Sequence, residues 1–309
     1  MKISLVIAVY NEEEKIKGLL DSVLKLDYQT SDFEVCIVND GSIDKTGEVC
    51  EKWKDNHSEL SVKYKKLESN VGRRKARELG AKMASYENIL ITDARCELFP
   101  DTLSNIREIN YEPLVGNVIQ KYAGYLPRVF FLIRKKLFKG SLGESFEDIF
   151  INKQNFDSVS KGTTLFFVDR NRFINNQPKE EGRYVNEDTG ILSLIVREKK
   201  ILKTAKVKCL YSQRENLFEE MRHLFHRGPR FIFHYYQPSK RYFFSINIIL
   251  VVTFLAIILA MFGFLAKIFI VLILVDVIFS FYFSEKLRDF YIFLIVLPPL
   301  VCAFFAGII

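Results

Sequence analysis

Short apolar runs alternate with longer amphipathic segments through the first ninety residues of this 309-residue chain. The apolar runs at 3–9, 34–38, 61–67 and 89–91 have the length and composition of buried strands. The segments between them, at about 15–26, 44–55 and 73–86, have the spacing of helices with one apolar face. Because strand and helix alternate with short turns, the pattern predicts an α/β fold with a mostly parallel sheet flanked by helices.

The pattern changes near residue 241, after which the chain is almost uncharged. All but four of the 44 Lys and Arg residues and all but three of the 37 Asp and Glu residues lie before that point. Three apolar segments follow, at about 243–265, 267–283 and 290–309, and each approaches the roughly 20 residues that span a bilayer. A buried core helix explains any one segment, but not three in succession. We therefore predict a soluble-type domain over 1–235 and, over 236–309, a juxtamembrane segment with a C-terminal bundle of three transmembrane helices.

The residues before the first apolar segment indicate the orientation of the chain in the membrane. They are strongly basic, with Arg227, Arg230, Lys240 and Arg241 close together. Since positive flanks remain on the inner side, we expect a multi-pass protein of the cell membrane whose large domain is cytoplasmic. The first residues lack the pattern of a cleavable leader, so we expect none, and the five cysteines have neither metal nor redox spacing.

A basic amphipathic segment at 127–139 interrupts the α/β pattern. No acidic residue occurs between 113 and 143, and aromatic and basic residues are interleaved there. The segment is suited to lie in a bilayer interface as a helix, and a surface helix packed on the domain has the same pattern. Nucleic acid binding also uses basic and aromatic residues, but the apolar segments that follow argue against a nucleic acid partner.

Polar residues follow the predicted strands where each strand ends. Asp93, Arg95 and Glu97 come directly after the apolar run at 89–91. Ligands of open α/β sheets bind at the carboxyl ends of the strands, where two carboxylates could hold a hard cation and an arginine could hold a phosphate. A solvated strand end has the same appearance. Three glutamates replace the Gly-x-Gly-x-x-Gly loop after the first strand, which excludes a dinucleotide fold, and Asp40 is suited to a base or ribose.

Four short motifs occur in order at these strand ends: Val9-Tyr10-Asn11-Glu12, Asn39-Asp40-Gly41-Ser42, Asn70-x-Gly72 and Asp93-Ala94-Arg95. Together they resemble family 2 glycosyltransferases, which have the GT-A fold. The resemblance covers roughly residues 1–235.

The resemblance implies a binding site for a nucleotide-diphosphate sugar. The residues it assigns to donor binding are Ala8, Tyr10, Glu12, Asp40, Asn70, Gly72, Arg73, Lys75, Asp93, Arg95, Arg222 and Arg227. It further implies Mg²⁺ or Mn²⁺, with Asp93 and Glu97 sharing the ion. Arg95 departs from the family pattern, which has a second Asp at that position. In the alternative, Arg95 supplies the positive charge directly.

An acidic pair, Glu187-Asp188, opens the second half of the site. Taken alone, it caps a helix N-terminus. The resemblance implies instead that Asp188 is the catalytic base, with Glu187 as the second choice. A sugar hydroxyl is a weak nucleophile, and a positioned carboxylate can accept its proton as it attacks.

These features predict a membrane-anchored, inverting glycosyltransferase that acts in cell-surface glycan or glycoprotein assembly. The acceptor is expected to be lipid-linked and to present a saccharide hydroxyl. A polyprenyl-phosphate glycosyl synthase is the alternative. Its acceptor, a phosphate, is already an anion and needs no base, whereas a saccharide hydroxyl does. A non-catalytic nucleotide-sugar-binding membrane scaffold is a third candidate, which Arg95 favours.

Overall fold

The computed structural model of the protein describes residues 1–121, 124–138, 140–178, 187–213, 216–235, 247–248, 251–252 and 265–307. The side chains of residues 187, 227–235, 265–269 and 305 lie outside this description. The chain divides into two compact units. An α/β unit comprises residues 1–122, 137–183 and 187–213, and a helical unit comprises residues 123–136, 184–186 and 214–309.

The described part of the α/β unit contains one nine-stranded sheet. Its strands are β1 (Ile3–Val9), β2 (Phe33–Asn39), β3 (Ser61–Lys66), β4 (Asn88–Asp93), β5 (Cys96–Leu98), β6 (Leu114–Gln120), β7 (Ile149–Ile151), β8 (Leu165–Asp169) and β9 (Ile201–Tyr211). The helices that cover it are α1 (Lys15–Val23), α2 (Thr46–Asn56), α3 (Arg73–Met83), α4 (Thr102–Ile109), α6 (Arg170–Asn175) and α7 (Glu187–Glu198).

The sheet is mixed rather than mostly parallel. Its order is β3-β2-β1-β4-β8-β6-β9-β5, with β7 also paired to β9. The first four strands are parallel, as the alternation of strand and helix predicts. Beyond β4, antiparallel pairs with β8, β5 and β7 enter the sheet. The expectation of a mostly parallel sheet therefore holds for the first four strands, whereas beyond them β6 and β9 form a parallel pair and the other described pairs are antiparallel.

Strand β1 lies at the centre of the hydrophobic core. All seven of its residues are buried. Ile3, Leu5 and Ile7 pack with α1, α2 and α4 on one face, and Val6 packs with α3 and α7 on the other. Burial on both faces explains why the strand is uniformly apolar rather than alternating. Each fully buried Ile, Leu or Val contributes about 1.5–3 kcal/mol.

Strand β9 has no clear signal in the sequence, because lysines interrupt its apolar residues. Lys203 is nevertheless buried and donates a hydrogen bond from Nζ to the carbonyl of Gly116 at 2.7 Å. The long apolar stem of a lysine packs like a hydrophobic side chain when the amine finds a partner. This tertiary contact allows a strand where the sequence pattern does not predict one.

The helical unit contains α5 (Tyr125–Leu137), α8 (Leu217–Tyr235), α9 (Leu265–Phe283) and α10 (Leu287–Ala306). Leu126, Val129 and Leu132 of α5 are buried in one cluster with Phe293 and Val296 of α10. The helix α5 thus starts and ends two residues before the predicted segment 127–139. The most buried residues of α5 thus pack against α10.

One helix is long and apolar enough to cross a membrane, judged over the described residues: it contains Leu287–Phe304 in α10. The apolar part of α9, Ile270–Phe283, is shorter. The first predicted span, 243–265, lies outside the described residues apart from two short pieces. Of the three predicted transmembrane helices, the described residues therefore contain two apolar helices, α9 and α10, and the bundle of three is not confirmed.

Candidate active site

The carboxyl ends of β1, β2 and β4 meet at one edge of the sheet. In the parallel register, Ala8 of β1 lies opposite Val38 of β2 and Asp93 of β4. The polar residues that follow these strands therefore lie side by side, as the resemblance requires. This edge is where open α/β sheets bind their ligands.

Reciprocal hydrogen bonds join the loops after β1 and β2. The Ser42 hydroxyl accepts from the backbone N–H of Asn11 at 3.0 Å, and the Asn11 side chain accepts from the N–H of Ile43 at 3.0 Å. Asn11 has a φ of 50°, in the left-handed region that asparagine tolerates better than most residues. The two loops therefore form a fixed rim around the strand ends.

Asp40 clamps the loop that leads into α3. Its carboxylate accepts hydrogen bonds from the N–H groups of Val71 at 2.8 Å and Gly72 at 3.0 Å. Gly72 has a φ of 94°, which favours glycine. The carboxylate therefore orders the start of α3.

A buried arginine joins the two halves of the site. Arg77 of α3 is only 1% exposed. Its guanidinium contacts the carboxylate of Asp93 through one terminal nitrogen. The other terminal nitrogen contacts Thr163 Oγ1 at 2.6 Å and Asp188 Oδ1 at 3.1 Å. Thr163 also donates a hydrogen bond to Asp188 Oδ1.

A second arginine reaches the same carboxylates from the exposed side. Arg73 lies one helical turn before Arg77, and its side chain is 44% exposed. It approaches Asp188 Oδ2 at 3.2 Å and Asp93 Oδ2 at 3.9 Å. Burial by itself would raise the pKa of Asp188. The charges of Arg73 and Arg77 and the hydrogen bonds from Thr163 and Arg77 outweigh burial and hold that pKa well below its usual range.

Arg95, which replaces the second Asp of the family pattern, forms an ion pair with Glu12. Its Nε donates to Glu12 Oε1 at 2.6 Å, and both side chains are largely buried. The donor edge therefore carries a matched pair of charges at the position where the family pattern has a second acid.

Asp93 and Glu97, predicted to share a cation, contact different helices. Asp93 contacts Arg77 of α3, whereas the carboxylate of Glu97 pairs with Lys121 at 2.7 Å and lies beside Gly18 of α1. Helices α1 and α3 cover opposite faces of the sheet. This arrangement argues against a shared ion.

The described residues contain no group of three His, Cys, Asp or Glu side chains that could hold a metal by themselves. Mg²⁺ bound together with substrate phosphates needs only one or two carboxylates. Asp93, at the strand edge, fits the role of a single protein ligand for such an ion.

The remaining predicted residues are distributed as follows. Ala8 is buried, Asn70 is half-buried, and Tyr10 and Lys75 are exposed at the same edge. Arg222 is exposed on α8 in the helical unit. The side chains of Glu187 and Arg227 lie outside the described residues, although their backbones belong to α7 and α8.

The family model for glycosyl transferase family 2 matches residues 4–176, more than half of the chain. The chain belongs to glycosyl transferase family 2. The match contains β1–β8 and thus every strand end described above. The resemblance found from the four motifs is confirmed.

Two curated members of family 2 are similar to this chain over its N-terminal part. A poly-beta-1,6-N-acetyl-D-glucosamine synthase of Staphylococcus epidermidis is 38% identical over 117 residues, which cover 38% of this chain and 27% of the synthase. The poly(ribitol-phosphate) beta-N-acetylglucosaminyltransferase TarS of Staphylococcus aureus is 35% identical over 106 residues, 34% of this chain and 18% of TarS. The matched part of the chain thus spans about a quarter or less of the length of these relatives.

Solved structures of family 2 type share the fold. S. aureus TarS 1–349 in complex with UDP-GlcNAc aligns with a TM-score of 0.54 and 21% identity, over 75% of this chain and 67% of that one. A mannosyltransferase from Pyrobaculum calidifontis, PcManGT, in complex with GDP-Man and Mn²⁺ aligns with a TM-score of 0.54 and 19% identity, over 77% and 65%. These likenesses establish a GT-A-type fold for the chain.

Sequence reasoning missed Thr163, the contact role of Arg77 and the pairing of Glu12 with Arg95. One signal was available for the arginines. Arg73 and Arg77 are four residues apart, so they lie on one face of a helix, and the first turn of α3 has no acidic residue to oppose the positive charges. Thr163 has no local signal, because its partners are far away in the sequence.

Proposed function

We propose that this family 2 member is a membrane-anchored, inverting glycosyltransferase that moves a sugar from a nucleotide-diphosphate sugar to a hydroxyl of a lipid-linked saccharide. One observation carries the proposal: Asp93, at the donor edge, and Asp188, at the start of α7, are bridged by the same buried guanidinium of Arg77. The carboxylate at the sugar-donor edge and the proposed base for the acceptor hydroxyl are thereby both in contact with one side chain.

The donor lies across the carboxyl ends of β1, β2 and β4. Its nucleoside meets Ala8, Tyr10 and Glu12 with Asp40, and its diphosphate meets Asp93, Arg73 and Arg95. Asn70, Gly72 and Lys75 complete this edge. The N-acetylglucosamine named in both curated relatives makes UDP-N-acetylglucosamine the first donor to test.

Asp188 accepts the proton of the acceptor hydroxyl. The hydroxyl oxygen attacks the anomeric carbon from the face opposite the diphosphate, its proton passes to the carboxylate, and the diphosphate leaves with the electron pair of the broken bond. As the new bond forms, the hydroxyl becomes strongly acidic, so a carboxylate with a low pKa is a sufficient base. Glu187 is the second candidate for this role.

The leaving diphosphate gains negative charge, which fixed cations stabilise. Arg73 and Arg95 are the candidates for this role, because Arg73 approaches Asp93 Oδ2 at 3.9 Å and Arg95 follows Asp93 by two residues. When bound at Asp93, Mg²⁺ or Mn²⁺ would supply further positive charge to the diphosphate. The ion pairs of Arg73 with Asp188 and of Arg95 with Glu12 keep both guanidinium groups oriented before the donor arrives.

The C-terminal helices support a location at the inner surface of the cell membrane. Helix α9 exposes large apolar side chains at every position from Ile270 to Val275 and again at Ile278, Phe279, Phe281 and Tyr282, and such a surface is stable only against lipid or another apolar surface. The basic residues that precede 243–265 favour a cytoplasmic catalytic unit. A lipid-linked acceptor would then be presented at the height of the membrane surface.

Transfer assays on the purified full-length protein in lipid-containing detergent test the proposal. Labelled UDP-N-acetylglucosamine and GDP-mannose are offered with a lipid-linked saccharide or a polyprenyl phosphate, with and without Mn²⁺. We expect transfer to the saccharide, and we expect Asp188→Asn to reduce it by about two to four orders of magnitude. Asp169→Asn is the matched control, because Asp169 caps α6 outside the site.

Two outcomes contradict the proposal in different ways. Transfer to polyprenyl phosphate that survives Asp188→Asn identifies the polyprenyl-phosphate synthase. Binding of the nucleotide sugar without transfer or hydrolysis, under every metal condition, identifies the non-catalytic scaffold.

A further inference from the structure

Thr163 is completely buried, and its hydroxyl is used twice. The residue lies just before β8 and has no exposed surface. Its Oγ1 accepts from Arg77 at 2.6 Å and donates to Asp188 Oδ1. A hydroxyl has one proton to donate and lone pairs to accept, so both functions are engaged within the cluster that contains the proposed base.

Arg77 is the second buried residue that contacts Asp188 Oδ1. We call Thr163 and Arg77 together the brace of Asp188. A buried guanidinium is costly unless its charge is compensated and its N–H groups are bonded. Here two carboxylates compensate the charge, with one terminal nitrogen on Asp93 and the other on Thr163 and Asp188. The Nε of Arg77 is buried without a partner among the described residues.

We propose that Thr163 and Arg77 are positioning residues that hold Asp188 Oδ1 at a fixed distance from Asp93, so that Asp188 Oδ2 is the oxygen that receives the acceptor's proton. This inference rests on the proposed function, in which Asp188 is the base.

The contacts of the two carboxylate oxygens support this division of roles. Among the described residues, the partners of Oδ1 are Thr163 and Arg77, and both are buried. Among the described residues, Oδ2 contacts Arg73, whose side chain is half exposed and can turn toward an incoming diphosphate. After that movement Oδ2 is accessible to a hydroxyl, while the carboxylate keeps its orientation through Oδ1. A rigidly oriented acceptor for the proton is what proximity catalysis requires.

The electrostatics give the brace a measurable signature. Hydrogen bonds to the ionised carboxylate lower the pKa of Asp188. Removal of the Thr163 hydroxyl takes away one of them, so the pKa rises. A base acts only when deprotonated, and activity is therefore lost at a higher pH on the acid side of the profile.

Thr163→Val and Thr163→Ser in the full-length protein test the inference. Valine has the same shape without the hydroxyl, and serine keeps the hydroxyl. We expect Thr163→Val to lower kcat on the order of tenfold to a hundredfold, to leave the KM for the nucleotide sugar within about twofold, and to move the acid limb of the pH–rate profile upward. Thr163→Ser should restore most of kcat and the position of the limb. Thr164→Val is the control at the neighbouring, half-buried position.

Arg77→Lys is the second variant, which decides the question if Thr163→Val fails to fold. A lysine keeps the charge but cannot bond to three partners in a fork, so we expect kcat to fall by at least as much as in Thr163→Val. Arg172→Lys is its control, because Arg172 also bridges two carboxylates, Glu112 and Glu198, away from the site.

The outcomes separate this inference from the proposed function. If Asp188→Asn abolishes transfer but Thr163→Val and Arg77→Lys retain wild-type kcat and acid limb, the brace has no positioning role. If Asp188→Asn retains transfer, the proposed function fails first.

Discussion

The side chain of Arg95 donates a hydrogen bond to the carboxylate of Glu12 at 2.6 Å, across the edge where β1 and β4 end. The two residues are 83 positions apart in the sequence. The pair places a permanent positive charge, already oriented, two residues beyond Asp93. In this chain, therefore, an arginine occupies the position at which the family pattern has its second Asp.

We predict that Arg95→Ala weakens binding of UDP to the full-length protein by about tenfold, because one charge-assisted contact to phosphate is lost. Titration calorimetry measures the change. Lys17→Ala serves as control, since Lys17 is exposed and forms an ion pair with the exposed Glu14. Equal affinities of Arg95→Ala and wild type would show that Arg95 does not contact the phosphates.

The two carboxylates after β4 should differ in their effect on metal dependence. Asp93→Asn is expected to abolish transfer, because it removes the carboxylate at the donor edge. Glu97→Gln is expected to leave the dependence of the rate on Mn²⁺ concentration unchanged, since Glu97 pairs with Lys121 near α1. A weaker dependence on Mn²⁺ in Glu97→Gln would restore Glu97 as a ligand of the ion.

The low pKa of Asp188 predicts how stability depends on pH. The folded state favours the ionised carboxylate, whose pKa is about 3.9 when unfolded. Its contribution is therefore complete above that value and is lost as the pH falls below it. We expect the melting temperature of wild type to exceed that of Asp188→Asn at neutral pH, and the difference to shrink in acid. Thermal unfolding at a series of pH values measures it, and a constant difference would contradict the ionic contribution.

In the helical unit, Asp289 of α10 is 2% exposed and is bonded to two nitrogens of Arg128 of α5. Arg128→Ala leaves this buried carboxylate without its main partner, and we expect a loss of about 2–4 kcal/mol in unfolding free energy. Lys135→Ala is the matched control, because its pair with Glu285 is exposed on both sides and should contribute less than about 1 kcal/mol. Denaturation in one detergent compares the variants, and equal losses would show that burial does not distinguish the two pairs.

The same ion pair bears on the basic segment around 127–139. Its sequence pattern fits both a bilayer interface and a protein surface, since both need one apolar and one basic face. In the structure, Val129 and Leu132 are buried against α10. Arg128 forms an ion pair with Asp289, and Lys135 forms one with Glu285. Packing, rather than periodicity, distinguishes the two environments.

The sequence by itself determined the first four strands, the edge at which they end and the family. These depend on local information: apolar runs such as Ile3–Val9 are buried on both faces, and a polar residue such as Asp40 or Asp93 marks where the apolar run ends. Parallel strands then bring the marked ends together.

Only the tertiary structure decided which charges meet. Arg77 is 86 residues from Thr163 and 111 residues from Asp188, and nothing local to Thr163 distinguishes it from any buried threonine. The antiparallel pairing after β4 and the lysine-interrupted β9 were equally hidden, because they depend on the partner strands and side chains rather than on the local pattern. A hydrogen bond or an ion pair depends on where the fold brings two side chains, and hydrophobic periodicity specifies only which face of an element is buried.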